Sequence, residues 1–213
     1  MKVHTIPGIG MSSNSFLVTS GREAVLVDAG WDSSGEFVLA SVGRLLGGAK
    51  LKALVLTHRH VDHVGGAAAV VRAHECEVVM HEKDADSIIR GDMISTGAAM
   101  FGGEVEPLKV RKLADGDAVV GMKVLHTPGH TIGSMCLYDG KAKILISGDT
   151  VFKDGVGRWD LPTGDGRALR ESVAKLAALR VEGLFPGHGD PVERNGASCI
   201  AANLGCLEAL GGF

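Results

Sequence analysis

At 213 residues, with 45% hydrophobic and 22% charged side chains, the chain has ordinary globular usage, which excludes a disordered or fibrous protein and predicts one domain over residues 1–213. A formal net charge of −3, with no Lys/Arg run to track a phosphate backbone, argues against a nucleic-acid partner. The opening Met1-Lys2-Val3-His4-Thr5-Ile6-Pro7 has no signal-peptide core, and no stretch reaches the ~18 apolar residues of a membrane span. A soluble, cytoplasmic protein without a membrane partner is expected.

The 31 glycines against 4% aromatics predict many tight turns around a core of Val, Leu, Ile and Ala. Cys76, Cys136, Cys199 and Cys206 show no C-x-x-C spacing and read as reduced, buried small hydrophobes. Cys199 and Cys206, two turns apart on one helical face, would lie about 10 Å apart, beyond disulfide reach.

In chain order, Ser15–Ser20 and Ala24–Asp28 read as strands joined at Gly21-Arg22. Residues 35–46 place Phe37, Leu39, Val42, Leu45 and Leu46 near the helical period. Leu51–Leu56, apolar apart from Lys52, predicts a strand buried on both faces that runs straight into Thr57-His58. A helix over 65–73, a strand over 77–80 and a helix over 82–89 continue an α/β alternation. Residues 91–103, with four glycines and two methionines and no clean period, predict a surface loop able to act as a cover. Strands follow over 108–113, 118–126, 134–138 and 142–147, then a helix over 166–179, a strand over 183–186 and a last helix, Gly196–Leu210. Strands, helix and a histidine- or aspartate-bearing loop thus occur twice, which fits two sheets flanked by helices better than one doubly wound sheet.

The strongest chemical feature is Thr57-His58-Arg59-His60-Val61-Asp62-His63-Val64-Gly65-Gly66, three histidines and a carboxylate at the end of a buried strand. Composition alone would produce His-X-His-X-Asp-His roughly once in a thousand such chains, so a merely solvated histidine-rich loop is a poor account. In an extended segment His58 and His60 point the same way and can share a metal, while Asp62 and His63 lie past the turn and can face a neighbouring one. His130 in Thr127-Pro128-Gly129-His130, Asp149 in Ser147-Gly148-Asp149-Thr150 and His188 in Pro186-Gly187-His188-Gly189 each follow a predicted strand. Singly each reads as a turn residue; together with the first motif they read as further metal ligands.

This set, in this order and spacing over nearly the whole chain, resembles the seven-ligand pattern of the metallo-β-lactamase superfamily in its short glyoxalase II-like branch. The resemblance implies an αββα sandwich of two mixed sheets flanked by helices. It implies two divalent metal ions, zinc first and iron or manganese also compatible. His58, His60 and His130 would hold one, Asp62, His63 and His188 the other, and Asp149 would bridge them, with Asp62 and Asp149 the catalytic carboxylates. Asp28 matches a position that supports the ligands. A metal-bridging hydroxide would attack a small acyl thioester or ester, and no serine or cysteine nucleophile is needed.

Gly157-Arg158-Trp159-Asp160-Leu161-Pro162-Thr163-Gly164-Asp165 resembles the branch's Gly-Arg-X-Asp stretch, which makes Arg158 a substrate-binding candidate; a loop-fixing salt bridge from Arg158 to Asp160 or Asp165 is the other reading. Residues 193–213 offer Arg194 as their sole basic residue, a departure from the family's basic and aromatic C-terminal extension that leaves the thiol carrier open between glutathione and a smaller thioester or another acyl ester. Three alternatives remain at this stage. A persulfide dioxygenase would hold a single iron through His58, His130 and Asp149, a lactonase would keep the fold and change the substrate, and a metal-binding protein without turnover would lack a ligand. Metal identity and homo-oligomerisation stay open.

Overall fold

The computed structural model describes residues 1–209, and its chain divides into two compact units, Met1–Leu113 and a second from Ala114 onward. The first holds a six-stranded sheet in the order β1 (Lys2–Ile6), β2 (Ser15–Ser20), β3 (Glu23–Val27), β4 (Lys50–Leu56), β5 (Glu77–His81), β6 (Val110–Leu113). β1 to β3 pair antiparallel, and the remaining neighbours pair parallel. The parallel strands are joined through α1 (Glu36–Leu45), α2 (Val61–Val64), α3 (Ala67–His74), α4 (Glu82–Arg90) and α5 (Ala98–Phe101). The near-continuous apolar runs of β3, β4 and β5 are buried because a parallel sheet must be covered on both faces.

β1 carries no strand signature in the sequence. It is an edge strand with Lys2 exposed and Val3, His4 and Thr5 half-buried, so its apolar contrast is weak. The helix expected over 65–73 is α3, and a short helix not expected from the sequence, α2, precedes it, the two meeting at Gly65-Gly66. A Cβ on Gly66 would stand 2.4 Å from the carbonyl oxygen of Ala29, so the chain passes too close there for any side chain. The expected loop over 91–103 contains α5 and is tied down: the carbonyl of Thr96 accepts the Val61 N–H at 2.9 Å, and Asp92 accepts the N–H groups of Ile94 and Ser95. Its surface character holds at the exposed Ile94 and Met100.

In the second unit the strands run β11 (Gly183–Pro186), β10 (Ile144–Gly148), β9 (Met135–Asp139), β8 (Met122–His126), β7 (Ala118–Val119), with only β10 and β11 parallel. The strand expected over 118–126 is a hairpin, because Val120 and Gly121 take φ of 48° and 79° and turn β7 back on β8. α6 (Gly166–Ala177) and α7 (Gly196–Ala209) pack a core of Leu125, Cys136, Leu145, Val173, Leu176, Leu184 and Ile200. Asp165 caps α6, accepting the Ala168 N–H at 3.0 Å. Leu210, placed at the end of the last helix from sequence, lies outside the described residues. Two mixed sheets with flanking helices agree with the α/β class expected, and no helix among the described residues is long and apolar enough to cross a membrane. All four cysteines are free; Cys76 and Cys136 are buried as expected, whereas Cys199 is half-buried and Cys206 is exposed on α7.

Candidate metal centre

In the first unit β4 delivers Thr57 and His58 at its C-terminal end, and His60 remains extended before α2 carries Asp62 and His63. The His58 ring lies 4.9 Å from that of His60 and 4.1 Å from that of His63, centroid to centroid. Asp28, just past β3, holds a left-handed backbone, φ 58°, uncommon outside glycine and best tolerated by Asp and Asn. That bend aims its carboxylate at the loop: Oδ1 accepts the Thr57 N–H at 2.8 Å, and Oδ2 accepts the Thr57 hydroxyl at 2.8 Å and His63 Nδ1–H at 2.7 Å.

These bonds fix two tautomers. A carboxylate only accepts, so the single Thr57 hydroxyl hydrogen goes to Asp28, and Thr57 Oγ1 receives the Nδ1–H of His58 at 3.1 Å. In the neutral rings, Nε2 of His58 and of His63 then carries a lone pair, the form that ligates a metal. His63 Nε2 faces Asp62 Oδ2 at 3.6 Å.

Arg59, between the two histidines, turns to α4. There the buried Asp84 accepts its main-chain N–H at 3.0 Å and its Nε–H at 2.8 Å, and also pairs with its terminal nitrogen.

In the second unit His130, Asp149 and His188 each follow a strand, β8, β10 and β11 respectively. Parallel pairing of β10 with β11 brings two of these loops together, and Gly187 donates to the Gly148 carbonyl at 2.8 Å. Asp149 Oδ2 lies 3.6 Å from Nε2 of both His130 and His188. His130 Nδ1 donates to the main-chain carbonyl of Arg158 at 2.6 Å, so its neutral ring also turns an Nε2 lone pair toward the carboxylate. That close return of the chain needs a glycine next to it: a Cβ on Gly157 would stand 1.9 Å from the Asp149 carbonyl oxygen. Beneath the donors, Thr127 and Thr150 share a hydroxyl hydrogen bond of 2.8 Å, and Cys136 donates to the Ser147 carbonyl at 3.4 Å. Burial pushes the Cys136 thiol up, so it is a packing group and not a thiolate nucleophile.

The guanidinium of Arg158 is engaged twice by Asp160, at 2.7 Å for each bond, and both side chains are exposed. Those hydrogen bonds pull the Asp160 carboxyl down to about 2. Asp165, the other acid considered for this pairing, is occupied in capping α6.

Each of the seven residues singled out from sequence, His58, His60, Asp62, His63, His130, Asp149 and His188, belongs to a His/Asp group able to hold a metal ion. The donor chemistry fits such an ion, since lone pairs and carboxylate oxygens facing one another at 3.6 Å are reconciled by a shared cation. Sequence reasoning passed over Thr57, Asp84 and the Arg158 carbonyl. Only Asp84 left a trace, an acid spaced with Ala85 and Ile88 on the buried face of its helix.

A family model described as the metallo-β-lactamase superfamily matches residues 8–188. A probable metallo-hydrolase of Methanocaldococcus jannaschii is 32% identical over 197 residues, covering 88% of this chain and 92% of its own. A hydroxyacylglutathione hydrolase of Haemophilus influenzae is 29% identical over 204 residues, covering 89% and 91%. Among solved structures, a protein crystallised in a di-iron-bound form superposes with a TM-score of 0.77 at 35% identity, covering 95% of each chain.

Proposed function

Because the chain belongs to the metallo-β-lactamase superfamily, we propose that it works as one domain and hydrolyses a small acyl thioester or a related ester with two divalent metal ions. His58, His60 and His130 hold one ion, Asp62, His63 and His188 the second, and Asp149 serves both. The observation that carries this reading is the preset state of the donors: His58 through Thr57, His63 through Asp28 and His130 through the Arg158 carbonyl each engage Nδ1, which in the neutral ring puts the ligating lone pair on Nε2. Ions held there supply a Lewis acid and lower the pKa of a water to ~7. The chain's own part is to fix the rings, to set Asp62 and Asp149 beside them, and to bury His58, His60, His63 and His130 away from bulk water.

The thioester is favoured over other acyl substrates by the similarity to a hydroxyacylglutathione hydrolase across most of the chain. Four free cysteines support a reducing, cytoplasmic setting. Zinc suits the His/Asp donor set, and iron is tested beside it because a similar chain was solved in a di-iron-bound form.

The test is elemental analysis of the purified protein, then a screen of a hydroxyacyl-glutathione thioester, simple esters and lactones before and after chelation. Two metals per chain, thioester turnover, loss on chelation and return with added metal are expected. Full activity of a verified metal-free sample would sink the metal reading, and lactone turnover without thioester turnover would replace the substrate class.

A further inference from the structure

Arg59 and Asp84 form a buried ion pair that the reading above does not use. Their side chains are 7% and 0% exposed, and the Arg59 terminal nitrogen also donates to the Lys83 carbonyl at 3.2 Å. A buried ion pair is weak evidence for stability, because desolvating two charges offsets most of their attraction and apolar replacements often serve as well. Its location is more telling. One carboxylate takes both the main-chain N–H of Arg59, through Oδ2, and the side-chain Nε–H, through Oδ1. The peptide it grips is the one joining His58 to Arg59. The chain bends at Thr57, His58 and Arg59 once past β4, and while Arg59 is held toward α4 the rings of His58 and His60 on either side of it lie 4.9 Å apart, so the bond from Asp84 anchors the backbone midway between the two.

We propose that Asp84 is a positioning residue that sets the separation and pitch of the His58 and His60 rings for one divalent cation. The proposal rests on the reading of these two histidines as ligands of the same ion. The main-chain bond carries the effect, and the ion pair serves to keep the carboxylate buried and aimed.

Cobalt(II) titration of the chelated full-length protein tests this, read by the visible d–d spectrum and alongside the melting temperature of the metal-free protein. Arg59→Met/Asp84→Leu replaces the pair with apolar groups and removes the acceptor for the main-chain N–H. A folded variant whose cobalt affinity falls about ten- to a hundredfold, with an altered spectrum, is expected. Wild-type affinity and spectrum in that folded variant would overturn the proposal. Arg59→Met/Asp84→Asn keeps an amide oxygen for the N–H and decides the matter should the first variant not fold. A lowered melting temperature with cobalt affinity within threefold is expected; affinity falling in step with melting temperature would reduce the pair to scaffolding and overturn the proposal. If the unaltered protein bound no cobalt, the metal reading itself would fail, an outcome distinct from equal binding by protein and variant.

Discussion

In the first unit His58, His60, Asp62 and His63 come from one six-residue stretch, whereas the second unit draws His130, Asp149 and His188 from three loops far apart in sequence. The two sets are also steadied differently. Side-chain carboxylates do the work in the first: Asp28 reaches Thr57 and His63, and Asp84 reaches Arg59. Main-chain groups do it in the second, where the Arg158 carbonyl takes the His130 hydrogen and Gly187 binds the Gly148 carbonyl. A compact ligand motif leaves its own backbone little freedom to orient the rings, so outside carboxylates must do so. Ligands set on separate strand ends are oriented by the sheet itself, through loops that return closely enough to need glycine.

That contrast sets an order of sensitivities. Removing a donor is the largest change: His58→Ala and Asp149→Ala should each lower kcat by about a thousandfold or more with loss of bound metal, and near-normal turnover of either would remove that residue from the site. Next comes Asp28→Asn, which leaves the fold in place but weakens the hold on Thr57 and His63; metal affinity should fall about ten- to a hundredfold by competition with a chelating dye. In the second unit the counterpart is Gly157→Ala, where a methyl would meet the Asp149 carbonyl oxygen at 1.9 Å. Overpacking of this kind costs about 1–3 kcal/mol, read as a lower melting temperature together with lost metal. Were Asp28→Asn harmless and Gly157→Ala equally so, the division between side-chain and main-chain support would collapse.

The smallest effect belongs to Arg158. Its contact with His130 is through the main chain and survives Arg158→Ala, so kcat should change little. If the guanidinium leaves Asp160 to grip a substrate carboxylate, KM for a carboxylate-bearing thioester rises by up to about a hundredfold while a neutral ester is unaffected. Equal effects on both substrates would assign Arg158 to the loop alone.

The first half-set was legible because all its donors and both turning glycines are contiguous, and the run ends a strand whose burial its own apolar residues announce. His130, Asp149 and His188 were legible only as a set, each beside a Pro-Gly or Gly turn that proves nothing singly. What escaped were partners defined in space alone. Arg59 reads as a spacer until Asp84 is found beside it, and Arg158 reads as a cation when its carbonyl is what touches His130. The 118–126 segment was misjudged because Val120 is β-branched and apolar, yet adopts the positive φ that turns the hairpin. β1 was missed because an edge strand lacks the buried apolar run by which its neighbours are recognised.

The other edge of that sheet, β6, has a consequence for how the protein behaves at high concentration. It exposes Arg111 and Lys112 on adjacent, hence opposite, faces, the first held by Glu77 at 2.8 Å and the second by Asp86 at 2.8 Å. Long, solvated charges on the last strand of the sheet make it costly for a second chain to add its own strand there, a guard against edge-to-edge aggregation. Arg111→Thr/Lys112→Val would leave three β-branched residues in a row, at 110–112, at the same place. Light scattering of concentrated samples should then grow with time while the fresh protein keeps its activity, so that solubility fails before fold or chemistry does.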